Sequence, residues 1–482
     1  MSTALLWPTV QTELRVRSRS TSTYVVLLAV LAISWLMLSD PAQGVALLVV
    51  DEARIRYSSA ALAFGSATLG ALLFSLAGFY LVRGHTQQDL RSGVWGLLAA
   101  SPVSNASLLL ARWFANTLFL AQLAFALLFS TWLLHALRGE GPWQPLVYLQ
   151  TYALLFAPAL LFTAAMALLF DAWGPLMGRR GDVAYFILWS LMLGVVPAGL
   201  SGHQGTEPPA LLLLDSSGIG TSIHRLTLLL GSENFGVGGV DFNATLPLRE
   251  FPESFWTPTL MQLRLASCAL ALLPLMLAWA LFHRYDPSRV RARQAGAAAG
   301  RLGAWLQRLQ QPLRRLLLPL LTLMARAPRA VAAPGAELLL SFITQPWALL
   351  VLTAAWVGAA SAPASAHAGW LAGLMLAWGV LASELGARGA TDSGHGAPDA
   401  LPGGRASRLQ SRATAAFSLG LLLLAPLLAQ RPAWAWGLIG LLALLTILAL
   451  ALGQWTRGGR SFLALFLFGW FVAVQVGGPW LG

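Results

Sequence analysis

Long apolar stretches separated by short polar ones recur along almost the whole chain. A membrane-spanning helix needs roughly 17 to 25 mostly apolar residues. By this measure the pattern predicts six spans in the first half and five in the second, at 23–39, 58–82, 108–137, 146–170, 183–200, 259–283, 345–361, 368–386, 412–429, 433–453 and 461–478. The predicted fold class is therefore an all-α polytopic membrane protein with about eleven transmembrane helices.

Composition supports this class, because 57% of the residues are hydrophobic and 10% are charged, against about 25% charged in a soluble domain. The net charge is +12, and all of the positive charge comes from arginine, since the chain has no lysine. Placing the N-terminus in the cytoplasm puts most arginines on that side, as the positive-inside rule requires, and puts Gly482 outside. The basic charge thus indicates topology, and we expect no nucleic-acid partner. The abundance of Ala, Leu, Gly and Arg is typical of a GC-rich bacterial genome, so we expect a bacterial inner-membrane protein.

A polar segment at 81–113, between the second and third predicted spans, has a shorter copy at 385–413. The matching positions are Arg83-Gly84-x-Thr86 with Arg388-Gly389-x-Thr391, and Pro102, Ala106-Ser107, Leu109 and Arg112 with Pro402, Ala406-Ser407, Leu409 and Arg412. Trp173 and Trp455, each followed by arginines, form a second match. Six predicted helices separate equivalent positions, so the two repeats should be parallel, related by a pseudo-twofold axis along the membrane normal.

Three regions follow from this repeat. Residues 1–286 form a first transmembrane half, 287–336 a basic cytoplasmic linker with an amphipathic helix, and 337–482 a degenerate second half with five spans. The one long predicted outside loop, 201–258, is rich in Gly and Pro and holds several acids. We expect short helices around 218–231 in this loop and little else.

The first polar segment predicts a short cytoplasmic helix over about 87–101. Leu90, Val94, Leu97 and Leu98 recur at helical spacing, with Trp95 beside them. Pro102 disfavours the α conformation at Ser101 and should end the helix there. Asp89 near its start suits the helix dipole. Two interpretations remain open: a helix that only lies on lipid, and a helix that inserts into a partner protein.

Further polar residues suggest local contacts. Before the first span, Thr12-Glu13-Leu14-Arg15 predicts an interfacial helix, and Glu337 holds the equivalent place before the seventh span. Glu384 should pair with Arg388, one helical turn later. Small residues are expected to line one side of two predicted spans, where neighbouring helices approach closely. They are Ala61, Gly65, Ser66, Gly70 and Gly78 in the second span and Gly373, Ala377 and Ser383 in the eighth.

These patterns carry a family resemblance. The chain resembles the permease subunit of type-2 ABC transporters, the exporter class with six helices per half, in Thr12-Glu13-Leu14-Arg15 and in Arg91-x-Gly93-x-Trp95-x-Leu97-Leu98-x-x-Ser101-Pro102-Val103-Ser104. The resemblance covers roughly residues 10 to 285. The second half keeps Pro402 but lacks the Trp-x-Leu-Leu pattern, and it has five predicted spans instead of six.

The resemblance implies an elbow helix containing Glu13 and Arg15 and a coupling helix that docks on an ATPase subunit. The implied coupling residues are Asp89, Arg91, Val94, Trp95, Leu97, Leu98 and Pro102, with Asp399, Leu401 and Pro402 in a second segment at about 390–402. The expected partner is an ABC ATPase subunit, in two copies, in addition to the lipid bilayer; a further accessory subunit is left open. The chain itself is expected to be a transport subunit and not an enzyme.

The sequence places the ATPase outside this chain. A P-loop needs a lysine that reaches the β- and γ-phosphates, and the chain has no lysine. We therefore expect no cofactor on this chain, with ATP and Mg²⁺ used by the partner, and no metal site. Two alternative functions stay open: an ion-coupled secondary transporter, which needs ionisable groups near the bilayer centre, and a membrane-embedded transferase, which needs a catalytic cluster at lipid level.

Overall fold

The computed structural model describes residues 6–86, 89, 93–101, 103–200, 208–232, 234–282, 315, 317–324, 326–344, 347–361, 363–388, 404–456 and 458–476. Contacts between Cα atoms divide the chain into two compact units, Met1–Ser288 and Arg289–Gly482. Most described residues in both units are helical, as the apolar pattern predicts.

Unit 1 contains ten α-helices among its described residues, together with three short strands. The helices are α1 (Leu6–Ser18), α2 (Thr21–Met37), α3 (Ser59–Val82), α4 (Trp95–Ala100), α5 (Asn105–Arg138), α6 (Pro145–Ala172), α7 (Arg179–Leu200), α8 (Ile219–Leu230), α9 (Pro258–Ser267) and α10 (Leu272–Leu281). The strands are β1 (Val45–Val50), β2 (Ala53–Arg54) and β3 (Phe235–Asp241). A 3-10 turn, Cys268–Ala271, joins α9 to α10, so the two form one apolar rod.

Unit 2 contains six labelled α-helices among its described residues. They are α11 (Arg329–Thr344), α12 (Trp347–Ser361), α13 (His367–Ala387), α14 (Gly404–Gln430), α15 (Ala435–Trp455) and α16 (Arg460–Val476). Residues 317–324 are also helical, while most of the predicted amphipathic helix of the linker lies outside the described residues.

Eight helices in the described part of the chain are long and apolar enough to cross a membrane, or nine if the bent pair α1–α2 is one span. Every predicted span coincides with a helix, but α2, α12 and α16 have only 17, 15 and 17 residues. The structure thus supports a polytopic membrane protein, and the count of eleven spans stays a prediction. Helix α1 meets α2 at 71°, as expected of a separate helix before the first span.

Helix α3 is the centre of unit 1. In its most apolar 18-residue window, 83% of the residues are buried, so small residues are needed all round the helix. Gly70 packs against Leu127 and Phe156, and Gly78 against Leu120. The prediction that small residues line one side of this helix was too narrow, because neighbours approach it on every side.

An unpredicted three-stranded antiparallel sheet lies next to the start of α3, in the order β2-β1-β3. Strand β3 belongs to the long loop 201–258, for which we expected short helices around 218–231 and little else. Helix α8 confirms the expected helix. The expectation of little else is wrong, because the loop also contains a strand. The sheet covers an aromatic cluster in which the rings of Phe64 and Phe255 lie 4.8 Å apart. Strand β1 and this cluster are buried and belong to the core of unit 1, whereas β3 is partly exposed.

In unit 2, α13 is the buried helix. Its Trp378 is fully buried, and the indole donates to the main-chain oxygen of Ala416 in α14 at 2.9 Å. Gly386 of α13 crosses Gly453 of α15 with main-chain atoms in direct contact range. Gly373, in contrast, has no neighbour within 4 Å of where a Cβ would be, so the predicted packing role of Gly373 is wrong within this unit.

Candidate functional site

The predicted coupling segment contains a shorter helix than expected. Gly93 has a left-handed φ of +77°, a conformation that glycine adopts without strain and that interrupts an α-helix. Helix α4 therefore begins at Trp95 and ends at Ala100. The end is as predicted, because Ser101 is extended, with ψ 149°. A continuous helix from 87 to 101 is wrong; of residues 87–92, the structure describes Asp89 alone.

Apolar side chains of this segment are open to the surroundings. Leu97 is 75% exposed and Val94 41% exposed, while Leu98 is half-buried. Trp95 belongs to α4, but its side chain lies outside the described residues. The other predicted coupling residues, Arg91, Pro102, Asp399, Leu401 and Pro402, also lie outside the described residues. The exposed leucine and valine form a small apolar surface, which we call the α4 surface.

Asp89 does not cap this helix. Its carboxylate accepts a hydrogen bond from the buried guanidinium of Arg112, near the start of α5. The same guanidinium lies 3.9 Å from the carboxylate of Glu13 in α1. The predicted dipole role of Asp89 is thus replaced by an ion pair, which fastens the segment to α5.

Glu13 connects helix α1 to the loop after α3. Its carboxylate lies 3.6 Å from Nδ1 of His85, whose Nε2 lies 3.2 Å from the side-chain oxygen of Asn116 in α5. Arg15, the other predicted elbow residue, is exposed on the opposite side of the helix. The structure therefore brings Glu13 into one cluster with Asp89, and leaves Arg15 out of it.

Arg83, which the sequence marked only as part of the repeat, makes ion pairs and hydrogen bonds to several elements of this region. Its fully buried guanidinium pairs with Asp182 at the start of α7 and lies 3.6 Å from Asp171 at the end of α6. It also donates to the main-chain oxygens of Leu176 and Gly178 in the α6–α7 turn. We call Arg83, Asp171, Asp182 and this turn (173–178) the Arg83 hub.

Aromatic rings and a glycine complete the hub. The rings of Phe79 and Phe170 lie 5.1 and 5.6 Å from the guanidinium carbon, within the range of a cation–π contact. A Cβ at Gly181 would overlap both the Leu176 carbonyl and the Arg83 guanidinium. The hub is therefore closely packed, and it leaves no space for a side chain at Gly181.

Arg17 of α1 adds a further positive charge next to the hub. Its guanidinium donates to the main-chain oxygen of Val82 at 3.2 Å and lies over the ring of Phe119. Burial lowers the pKa of Arg17 to about 10, opposed in part by the carboxylates of Glu13 and Asp171. This value is far above neutral pH, so Arg17 remains charged and contributes to the electrostatic balance of the site.

Unit 2 contains a simpler cluster at the positions that match by sequence. One carboxylate, that of Glu337 in α11, accepts from Arg388 at 3.0 Å and from Arg412 at 3.2 Å. Arg412 also donates to the main-chain oxygen of Arg388. The expected pairing of the Arg388 side chain with Glu384 is therefore corrected, because the guanidinium points to α11.

A second buried ion pair lies under the long loop of unit 1. Arg264 in α9 is fully buried, 3.9 Å from the carboxylate of Asp215, and donates to the main-chain oxygens of Asp215 and Leu154. Sequence reasoning assigned Arg264 no partner. A signal was present, because an arginine inside an apolar helix requires a counter-charge.

One small cavity lies beside the buried Asp215 of unit 1. It is lined by Ser75, Thr163, Tyr185 and Trp189 among others and has a volume of about 20 Å³, room for about one water molecule. Among the described residues, no group of three or more His, Cys, Asp or Glu side chains is placed to hold a metal ion.

No family model, curated protein sequence or solved structure matches this chain.

Proposed function

We propose that this chain is the membrane-spanning permease subunit of an ATP-driven transporter of the type-2 ABC class, acting as an exporter in the bacterial inner membrane. In this proposal, a separate ATPase subunit, present in two copies, docks on α4 of unit 1 and on the corresponding segment at about 390–402. The partner binds ATP and Mg²⁺, and this chain carries no catalytic group. The N-terminus lies in the cytoplasm.

One observation carries the proposal: an exposed apolar surface is presented by a segment that buried ion pairs hold in place. Leu97 is 75% exposed, while Asp89 is bound to Arg112 and the start of the loop is bound by Arg83. An isolated interfacial helix needs no such anchoring, because lipid itself holds its apolar side. Rigid anchoring is what a segment needs if it transmits force from a partner protein.

The two charged clusters support the proposed duplication. Glu13 lies next to Arg112 in unit 1, and Glu337 binds Arg412 in unit 2; these residues match in the repeat. We propose that the units are two parallel repeats and that unit 2, with its shorter spans and simpler cluster, is the degenerate copy.

The test is capture of an ATPase by the tagged chain from membranes of its native host, followed by measurement of ATP hydrolysis in the captured complex. Leu97→Asp should abolish both capture and ATP hydrolysis, because a carboxylate on the α4 surface would be desolvated on docking. Leu248→Asp is the matched control: this leucine is also exposed, at 55%, but lies in the predicted outside loop. Normal capture of the ATPase by Leu97→Asp would refute the proposal.

An ion-coupled transporter is the second candidate, favoured by one observation. Asp171 and Asp182 are buried carboxylates at helix ends, and proton-coupled transporters use buried acids as proton relays. Arg83 pairs with Asp182 and lies 3.6 Å from the carboxylate of Asp171. Transport that survives depletion of ATP but stops when the proton gradient collapses would favour this candidate over the first.

A further inference from the structure

We propose that Arg83 is a positioning residue that joins the predicted docking segment to helices α6 and α7, so that they move as one body. In unit 2, by contrast, the matching residue Arg388 connects its loop to a different helix, α11. The role of this connection rests on the proposed function, because Arg83 would determine which membrane helices respond when a partner moves α4. The arrangement itself is tested without any partner.

The geometry of Arg83 makes it a connection between three elements. It is the residue directly after α3, so its main chain begins the loop that leads to α4. Its side chain reaches Asp171 at the end of α6, Asp182 at the start of α7 and the turn between them. The next residue strengthens this, because the amide of Gly84 donates to the Asp171 carboxylate at 2.7 Å.

Charge and burial make the connection rigid. The Arg83 side chain has no exposure, and those of Asp171 and Asp182 are 5% and 8% exposed. Removing one partner from such a buried pair leaves an uncompensated charge, which is strongly unfavourable. Arginine suits this place better than lysine, since its planar fork donates to the Asp182 carboxylate and to two main-chain carbonyls at the same time.

The matching residue of unit 2 is bound differently. Arg388 follows α13 as Arg83 follows α3, but its guanidinium binds the carboxylate and main-chain oxygen of Glu337 in α11. The position that matches Asp171, counted from Trp173 and Trp455, is Gly453 in α15. Arg388 therefore holds its loop to the interfacial helix α11. The acid that binds Arg83 in unit 1, Asp171, is replaced in unit 2 by a glycine, which has no side chain to bind Arg388.

The consequence is a mechanical difference between the units. A displacement of the loop after α3 is delivered to α6 and α7 through buried ion pairs. A displacement of the loop after α13 is delivered to α11 through Glu337. Unit 1 would then drive the movement of its membrane helices, while unit 2 would move its interfacial helix.

The experiment measures distances between spin labels in the full-length chain in lipid nanodiscs, in a Cys268→Ser background that removes the single cysteine. One label pair, at Leu97 and Ile187, reports on α4 relative to α7. The control pair, at Phe125 and Leu149, reports on α5 relative to α6. All four side chains are at least 45% exposed, so labels fit there.

Arg83→Gln should broaden the distance distribution between positions 97 and 187 at least about twofold, because the buried pairs are lost, while the control distribution stays narrow. An unchanged distribution between 97 and 187 would overturn the proposal. Broadening of both pairs would also overturn it, since that result would show a general packing role. If Arg83→Gln does not fold, Asp182→Asn takes its place, because this variant leaves the contact between Arg83 and Asp171 intact. The same two distance distributions then decide the outcome.

The parallel variant in unit 2 tests the claimed difference. Arg388→Gln should broaden the distance between labels at Val331 in α11 and Leu444 in α15, and leave that between Leu444 and Val472 in α16 unchanged. Broadening of the second distance would contradict the assignment of Arg388 to α11. These distances need no ATPase, so their outcome is independent of the capture experiment that tests the proposed function.

Discussion

Replacement of Arg264 by methionine should release the long loop of unit 1 from the helices below it. The Arg264 side chain is fully buried, donates to Leu154 at 3.2 Å, and also donates to the main-chain oxygen of Asp215. The Leu154 carbonyl depends on this donor, because residue 158 is a proline and has no amide hydrogen to complete the helical bond. Methionine keeps much of the volume and removes both donors.

The magnitude follows from the two lost hydrogen bonds. Bonds from a charged donor contribute about 1.5–3 kcal/mol each, so the local loss is about 3–6 kcal/mol. The Asp215 carboxylate keeps its hydrogen bonds from Gly218 and Thr221, so it is not left without partners. Methionine also relieves the cost of burying a guanidinium, which places the expected effect at the lower end, about 3 kcal/mol or roughly 10²-fold in an opening equilibrium.

Hydrogen exchange of the purified chain measures this opening. Amides in residues 210–222 should exchange about 10²-fold faster in Arg264→Met, since they are protected only while the loop is closed. The matched control is Arg225→Met: Arg225 also donates to two carbonyls, those of Phe255 and Ser254, but it is only partly buried and it does not hold this loop to α6. Equal exchange in the native chain and Arg264→Met, or an equal increase in the control, would refute the reasoning.

Two further predictions concern stability. Glu140, between α5 and α6, has a pKa lowered from 4.5, because desolvation, which alone would raise it, is outweighed by hydrogen bonds from Arg54 and the Tyr57 amide. Its contribution is therefore present above the ordinary pKa and lost as pH falls through the lowered one, so the Tm deficit of Glu140→Gln at neutral pH should shrink in acid and vanish below the lowered pKa; an unchanged deficit in acid would contradict this. Gly386→Ala should destabilise unit 2 by about 1–3 kcal/mol, since its Cβ would overlap the Ala449 carbonyl, whereas Gly373→Ala should not destabilise it; equal Tm values would contradict the close crossing.

Local sequence signals determined which stretches of this chain become helices. Helix α4 in the first polar segment ends at Ala100, because Pro102 disfavours the α conformation at its direct neighbour Ser101. Each predicted span coincides with a helix because apolar length and the absence of interrupting polar runs are properties of one stretch alone. The interruption at Gly93 is also local, and the glycine was visible, but a glycine within a helical pattern does not by itself reveal a positive φ.

Tertiary structure decided the sheet and the charged clusters. Strand β1 reads Val-Ala-Leu-Leu-Val-Val and could have been a short buried strand, but its partner β3 contains three glycines and lies about 190 residues away, too far for any local pattern to identify. Arg83 was visible in the sequence as a repeated residue. Its partners were not, because they depend on which helix ends meet: Arg83 binds Asp171 and Asp182, whereas Arg388 binds Glu337. Helix formation uses contacts between near neighbours, whereas an ion pair forms only where the packed helices bring two charges together.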